Sequence, residues 1–324
     1  MKERKPLVSH IFTADPSAHV FDGKIYIYPS HDIPHDGEDN DNGDEYLMED
    51  YHVLSMDSPD ADECVDNGCA LHMKDVEWVS KQMWAPDALY KNGKYYLIFP
   101  ARDKEGLFRI GIATSDSPVG PFTAEKEPIE GSFSIDPCIF MDDDGQVYTY
   151  FGGLWGGQLE KWVTGKFDPE GKEPDAGQPA VGPMVGVMSD DIKSFAKKPV
   201  HLEILDENGK PITADDEDRR YFEGPWMHKY NGKYYLSYST GTTHYIVYAT
   251  SDSPMGPFTY GGRIMEPVLG WTTHHSITEY NGKWYLFYHD CELSNGINHR
   301  RNVKFTELKY NPDGSIITIK PYEE

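Results

Sequence analysis

The sequence predicts an all-β protein with a five-bladed β-propeller fold. Three observations lead to this prediction: an internal repeat, a composition rich in aromatic residues and turn formers, and ionisable residues at matching positions of the repeat. The chain has 324 residues, with 22 Tyr, 7 Trp, 30 Gly and 23 Pro. This composition favours a fold of many short strands joined by tight turns over a helical bundle.

One sequence phrase occurs five times. The copies are Ala88–Arg102 (ALYKNGKYYLIFPAR), Trp226–Thr240, Ile277–Asp290 and, less clearly, His19–Asp32 and Cys138–Gly152. Each has an apolar or aromatic strand, an Asn-Gly, Asp-Gly or similar turn, and a second strand rich in Tyr, Ile and Leu. Because these turns suit the positive φ angles of type I′ hairpins, each copy is predicted to be a β-hairpin. Five hairpins extended by outer strands predict five blades, in one catalytic domain over residues 1–324. A β-sandwich with Greek-key crossovers is the alternative fold, and the repeat argues against it.

A second phrase supports the repeat. It reads TSDSPVGPFT at residues 114–123 and TSDSPMGPFT at residues 250–259, with one difference. Its recurrence after two of the hairpins indicates duplication of a whole supersecondary unit. The stretches His31–Asp50, which is acidic, and Lys161–Arg220, which is rich in Gly, Pro and Asp, are predicted to be insertions between blades.

Charge and hydropathy exclude some partners. The formal net charge of −24 repels phosphate backbones, which argues against nucleic acid. No run of 18 apolar residues is present, which argues against a membrane span. The N-terminal residues lack the apolar segment of a secretory signal, so a cytoplasmic location is expected, with prior removal of a signal as the alternative. The oligomeric state is not predicted.

An ionisable residue stands at the head of each repeat when the five copies are aligned on their turns: Asp15, Asp87, Asp136, Glu223 and His274. The first strand of a propeller blade lines the central channel, so these residues are expected to converge at one mouth of it. Any one of them alone is explained as a turn residue, and Asp87 most readily so. Together they predict catalysis or cation binding, because neighbouring like charges are costly to maintain. Two carboxyl groups across a pocket are the apparatus of glycoside hydrolysis.

These motifs resemble glycoside hydrolase family 43. The resemblance rests on HIFTADPSAHVFDGKIYIYPSHD at residues 10–32, WAPD at 84–87, SIDPCIF at 134–140, YFEGPW at 221–226 and THHS at 273–276. It is greatest to the single-domain β-xylosidase and α-L-arabinofuranosidase members. It implies an inverting mechanism, with Asp15 as general base, Glu223 as general acid, and Asp136 raising the pKa of Glu223 and holding it in place. Inversion further implies a separation of roughly 6.5–9.5 Å between the base and the acid.

The resemblance also implies residues that bind a cation and the sugar. His274, or its neighbour His275, is expected near an axial Ca²⁺ that is otherwise held by water. Trp84 is expected to form a platform for a pentose ring, Arg301 or Arg300 to contact substrate, and His31 to bind substrate as well.

The predicted function is that of an exo-acting inverting glycosidase that releases xylose from the non-reducing ends of β-1,4-xylo-oligosaccharides, with a small oligosaccharide as its substrate. The alternatives are an α-L-arabinofuranosidase acting on arabinan or arabinoxylan side chains and, from another class, a carbohydrate-binding propeller without catalysis. The acidic segment Glu38–Glu49 partly mimics an EF-hand calcium loop, but it lacks flanking helices and is predicted to shape the rim of the pocket.

Overall fold

Five β-sheets, each built on one repeated hairpin, make up the five blades of a β-propeller. The structure is a computed structural model that describes residues 3–323. The first blade contains four antiparallel strands in chain order: β1 (Phe12–Phe21), β2 (Lys24–Asp32), β3 (Asp50–Met56) and β4 (Val65–His72). A 3₁₀ turn at Met73–Asp75 leads to the second blade.

The second blade has five strands: β5 (Val79–Lys81), β6 (Asp87–Lys91), β7 (Lys94–Asp103), β8 (Phe108–Ser115) and β9 (Thr123–Ala124). Both β5 and β6 pair with β7, and the order then continues through β8 to β9.

The third blade corrects one prediction. Its strands are β10 (Cys138–Met141), β11 (Val147–Phe151), β12 (Met184–Val187) and β13 (Val200–His201), in that order. The last two lie within Lys161–Arg220, so this stretch completes a blade and is not simply an insertion. Two 3₁₀ turns, Trp155–Gly157 and Leu159–Trp162, precede β12.

The fourth blade has an added parallel edge. The short strand β14 (Ile204–Leu205) pairs in parallel with the outermost of four antiparallel strands: β15 (Glu223–Tyr230), β16 (Lys233–Ser239), β17 (Ile246–Ser251) and β18 (Phe258–Met265).

The fifth blade closes the ring with residues from both ends of the chain. It contains β19 (His275–Tyr280), β20 (Lys283–Asp290), the 3₁₀ turn Glu292–Ser294 and β21 (Asn302–Leu308). The N-terminal segment runs beside β21: the Leu7 N–H donates to the Val303 carbonyl at 2.9 Å, and the Thr13 N–H to the Arg301 carbonyl at 2.9 Å.

All five predicted hairpins are confirmed, and their first strands form the inner ring. They are the pairs β1–β2, β6–β7, β10–β11, β15–β16 and β19–β20. The first strands contact one another in the cyclic order β1, β6, β10, β15, β19 and back to β1. The heads of the repeats therefore surround one axis. Among the described residues no helix has the length and apolar character to cross a bilayer.

Candidate active site

Left-handed backbone turns aim three of the strand heads into the channel. Asp15 has a φ of 48° and lies at an irregularity of β1 between Ala14 and Ser17. Asp136 has a φ of 55°, and Glu223 is followed by Gly224 with a φ of 64°. An L-residue adopts this region at a cost, and Asp and Gly tolerate it best. Such local irregularities re-aim side chains next to functional sites.

A cavity of about 220 Å³ lies where these heads meet. The three acids predicted from the sequence line it together: Asp15, Asp136 and Glu223. Asp15 and Asp136 are 6% and 5% exposed, and Glu223 keeps more of its surface open to the recess. The other predicted residues that line the cavity are Trp84, His274 and Arg301. The remaining strand head, Asp87, is fully buried outside it and accepts hydrogen bonds from the Ile139 and Ala88 N–H groups, which is a structural role.

Asp15 is held in its ionised form. Burial by itself would raise its pKa, but the positive charge of Arg301, with contributions from His289 and His274 where these are protonated and from the Ser30 hydrogen bond, outweighs burial and lowers the pKa to about 2. Arg301 Nη1 donates to Asp15 Oδ1 at 3.0 Å, and the Ser30 hydroxyl donates to Oδ2 at 2.5 Å. A buried carboxylate of this kind is a proton acceptor whose charge persists throughout the neutral range.

Arg301 is itself fixed by Asp32. Its Nε and Nη2 donate to the two Asp32 carboxylate oxygens at 2.9 and 2.7 Å, which is the bidentate geometry that suits a guanidinium. The arginine is 2% exposed, and its guanidinium lies 4.8 Å from the centre of the Tyr46 ring. Arg300, the alternative from the sequence, donates instead to the His35 carbonyl at 2.9 Å and does not line the cavity.

Glu223 is held in its protonated form. Burial and then the negative charge of Asp15 raise its pKa to about 8, against a smaller opposing effect of Arg301. The pKa of Asp136 is also raised, by burial first and then by the charges of Glu223 and Asp15.

That Asp136 raises the pKa of Glu223 stays a prediction. The charge of Asp15 contributes to the raised pKa of Glu223 and also to that of Asp136. A direct contact supports the prediction that Asp136 holds Glu223 in place. Asp136 Oδ2 accepts a hydrogen bond from the Gly224 N–H at 3.0 Å and so fixes the backbone next to Glu223.

His274 is suited to hold a cation with water. It is 7% exposed, and neither ring nitrogen has a hydrogen-bond partner among the described residues. Burial lowers its pKa, so the imidazole is neutral and its lone pair is free. Nε2 lies 3.8 Å from Asp136 Oδ2. The alternative, His275, is turned away and bonds Ser237 Oγ at 2.6 Å, so His274 is the histidine that faces the site.

The prediction that His31 binds substrate is not supported. Successive side chains of a strand point to opposite faces, and on β2 the side chains of Ser30 and Asp32 reach the Asp15–Arg301 pair. His31, between them, therefore points to the other face, where its Nδ1 lies 2.7 Å from Asp50 Oδ1. It does not line the cavity.

Aromatic side chains that sequence reasoning missed form much of the cavity wall: Tyr46, Trp155, Phe222 and Trp271. Trp155 and Trp271 lie 5.8 Å apart, and each contacts Phe222. The Trp155 indole N–H donates to Glu173 Oε1 at 2.7 Å, which orients the ring. Trp271 could have been predicted from its position in the sequence, because it stands three residues before His274 in GWTTHH. Trp84 also lines the cavity; its indole N–H donates to the Tyr46 carbonyl at 3.0 Å, and its ring packs on Phe108.

The acidic segment forms the rim, as the sequence predicted. Asp39, Asn40 and Asp41 line the mouth of the cavity. Across the mouth, the Asn298 side-chain amide donates to Asp39 Oδ2 at 2.6 Å and thereby ties the segment to the fifth blade.

A recess of sugar-ring size with aromatic walls, one ionised carboxylate and one protonated carboxyl defines a glycoside hydrolase. The family model for glycosyl hydrolases family 43 matches residues 4–316, and the chain belongs to that family. It is 62% identical to xylosidase/arabinosidase 43A of Humicola insolens over 98% of this chain and 99% of that protein. It is 52% identical to a xylosidase/arabinosidase of Bacteroides ovatus over 99% of both chains.

Solved structures agree with this assignment. One is a GH43 β-xylosidase/α-arabinofuranosidase from a compost metagenome, in complex with xylotriose and in a calcium-free form. It superimposes with a TM-score of 0.98 at 60% identity, covering 100% of this chain and 99% of that one. A GH43_1 enzyme of Xanthomonas citri complexed with xylotriose gives 0.94 at 52% identity, covering 99% and 94%.

Proposed function

We propose that the protein is an exo-acting, inverting β-xylosidase that removes xylose from the non-reducing ends of β-1,4-xylo-oligosaccharides. The observation that carries the proposal is the separation of the two pKa values in one cavity, about 2 for Asp15 and about 8 for Glu223. Between these values the enzyme holds one base and one acid at once, as glycoside hydrolysis requires. Relatives of similar length named β-xylosidase or xylosidase/arabinosidase support the substrate class.

The residues divide the reaction into two simultaneous proton transfers. The Asp15 carboxylate takes a proton from a water molecule as the water oxygen bonds to the anomeric carbon. The bond from that carbon to the glycosidic oxygen breaks, and the oxygen receives the proton of the Glu223 carboxyl. The product has the opposite anomeric configuration, while Asp15 is left protonated and Glu223 ionised until solvent resets them.

We propose Asp136 as a positioning residue, through its contact with the Gly224 N–H. His274 is the side chain that would hold Ca²⁺, with water as the remaining ligands. When bound, the cation would supply positive charge beside the acids. The unpartnered ring nitrogens of His274 support this assignment, as does the mention of a calcium-free form for the compost relative.

A second activity, α-L-arabinofuranosidase, is proposed for the same site because relatives with both activities in their names match nearly the whole chain. The carbohydrate-binding alternative explains the aromatic walls but not the opposed ionisation of Asp15 and Glu223.

The test compares hydrolysis of nitrophenyl β-xyloside and nitrophenyl α-arabinofuranoside by the purified protein. We expect turnover of both, with the xyloside preferred. Proton NMR during hydrolysis of nitrophenyl β-xyloside, in which the only sugar released is the xylose whose bond is cleaved, should show α-xylose as the first sugar product. Initial release of β-xylose would overturn the inverting assignment, and a lack of turnover on both substrates would overturn the hydrolase.

A cytoplasmic location and a single catalytic domain over residues 1–324 stay predictions. Fractionation of source cells and limited proteolysis of the purified protein test them.

A further inference from the structure

A cluster of histidine and aspartate side chains lies on β2 and β3, the two middle strands of the first blade, outside the catalytic cavity. His31, Asp50 and His52 each offer one ligand atom, and these three atoms lie within 4.8 Å of one another. None of the three lines the cavity. We propose that this cluster is a second metal site, selective for a divalent ion of the zinc type.

The strand geometry brings the three side chains together. His31 is the last residue but one of β2 and lies beside the start of β3, where Ser30 pairs with Tyr51. Asp50 and His52 are two residues apart on β3, so their side chains share one face of the sheet. His31 Nδ1 lies 2.7 Å from Asp50 Oδ1, and His52 Nε2 lies 3.7 Å from Asp50 Oδ2. Two ligands at tetrahedral angles around Zn²⁺ are about 3.3 Å apart, so small side-chain rotations suffice.

The Asp66 carboxylate fixes the tautomer and the orientation of one ligand, His52. His52 Nδ1 donates to Asp66 Oδ1 at 2.8 Å, which places its proton on Nδ1 and leaves the Nε2 lone pair facing Asp50. Asp66 is anchored in turn by the Gly68 N–H at 2.9 Å and by His10 Nε2 at 2.8 Å. A carboxylate that orients the other nitrogen of a ligating histidine is the usual outer shell of protein metal sites.

The donor set decides the class of metal. Two imidazole nitrogens and one carboxylate suit Zn²⁺ and its neighbours among the transition metals, whereas Ca²⁺ needs a ligand set made mostly of oxygen atoms, which at His274 would come from water. The side chains of His31, Asp50 and His52 are 19%, 16% and 16% exposed, which holds them firmly and leaves an entry path from solvent with room for water as a fourth ligand.

The bound ion would join two strands directly and a third through Asp66. It would therefore stabilise the blade that carries Ser30 and Asp32, the side chains that fix Asp15 and Arg301. This role is separate from the cation expected at His274, and it does not depend on the proposed catalytic function.

The experiment is a calorimetric titration of chelator-treated full-length protein with ZnCl₂, in the presence of excess Ca²⁺. We expect one Zn²⁺ per chain and a melting temperature that rises with Zn²⁺. The substitutions His52→Ala and Asp50→Asn should each weaken Zn²⁺ binding at least tenfold, and Asp66→Asn by about 10–100-fold.

Two controls separate this cluster from other ligands. His274→Ala should retain the Zn²⁺ equivalent, and so should Cys69→Ser, which removes an exposed free thiol close to Asp50. Circular dichroism checks that each variant folds. X-ray absorption at the zinc edge of the wild-type protein, which needs no variant, should show imidazole scattering and no sulfur. Unchanged affinity in His52→Ala, loss of binding in His274→Ala, sulfur in the zinc shell, or no Zn²⁺ uptake would each overturn the site.

Discussion

The arrangement around Arg301 predicts that both limbs of the pH–activity profile shift upward together when its charge is removed. Arg301 lowers the pKa of Asp15 against the effect of burial, and it also restrains the pKa of Glu223. Replacing Arg301 alone would leave Asp32 buried without its partner, at a cost to folding of about 3–5 kcal/mol. The informative variant is therefore the double substitution Arg301→Gln with Asp32→Asn.

The size of the effect follows from the Asp15 environment. The net lowering from 3.8 to about 2 corresponds to roughly 2 kcal/mol in favour of the carboxylate, and Arg301 is the largest of the groups that produce it against the opposing effect of burial. Without the guanidinium, burial is opposed only by the weaker effects of His289, His274 and Ser30, so the pKa of Asp15 should rise by about 1–3 pH units. At the same time Glu223 should lose its proton only above its present value of about 8.

The assay is kcat/KM for nitrophenyl β-xyloside over the pH range in which circular dichroism shows a folded protein. The wild type should keep its activity down to the acid limit of folding, whereas the double variant should lose about tenfold for each pH unit below its new acid limb. Asp32→Asn alone is the matched control: it leaves Arg301 beside Asp15 and should not move the acid limb. An acid limb that stays in place in the double variant, or an alkaline limb that moves downward, would refute the account of Arg301.

Three further predictions follow. Glu223→Gln should lower kcat by about 10²–10⁴-fold, because it removes the general acid. It should also raise the melting temperature at pH 8.5 but not at pH 4, since the stability linked to the raised pKa of Glu223 is complete below pH 4.5 and is lost as the pH rises through about 8. Equal melting temperatures of the variant and the wild type at pH 8.5 would contradict this. A chelator should lower the activity of the wild type, and added Ca²⁺ should restore it. The activity of His274→Ala should respond to neither addition. If the chelator lowered the activity of this variant as much as that of the wild type, the cation would have to lie elsewhere. Gly241→Ala should both destabilise the protein and raise KM, because the φ of Gly241 is 69° and a Cβ there would lie 2.3 Å from the ring of Phe222, which lines the cavity. Gly93→Ala is the control, since Gly93 has a φ of 80° but a Cβ there would meet no neighbouring atom. It should destabilise the protein by only about 1–2 kcal/mol and leave KM unchanged.

Local chemistry made much of the fold predictable. Asn92 and Gly93 have φ angles of 54° and 80°, the conformation that an Asn-Gly hairpin turn requires, and three other repeats turn at a residue pair of the same kind. The hairpin of the third blade has a longer turn, in which Gly145 is left-handed and the residue before it is not. Once the turns are known, the pairing of the two strands follows, and so does the residue at the head of each. The three acids could therefore be found from the sequence, because each lies eight or nine residues before its turn glycine, and this is a local property of the chain.

Two features of the site could not be predicted from the sequence: the face of the sheet to which a strand residue points, and the path of the loops that carry the aromatic side chains. His31 and Asp32 are adjacent, and only the register of β2 shows that Asp32 reaches Arg301 while His31 faces the other side. Trp155 and Trp271 come from connecting segments of different blades, and no period in the sequence links them. The ionisation of Asp136 was equally hidden, since it depends on burial and on charges from other blades.

The propeller places the acids alike, and one asymmetric contact makes them different. Asp15 and Asp136 are both strand heads with left-handed backbone and both are almost fully buried, yet the pKa of the first is lowered and that of the second raised. Repeat symmetry cannot produce this difference. It arises because Arg301, immediately before β21, donates directly to Asp15, while Asp136 receives only the backbone N–H of Gly224. Since the segment that carries Arg301 lies beside β1 only where the ring closes, closure of the propeller is what gives the first blade the base and leaves the acid to the fourth.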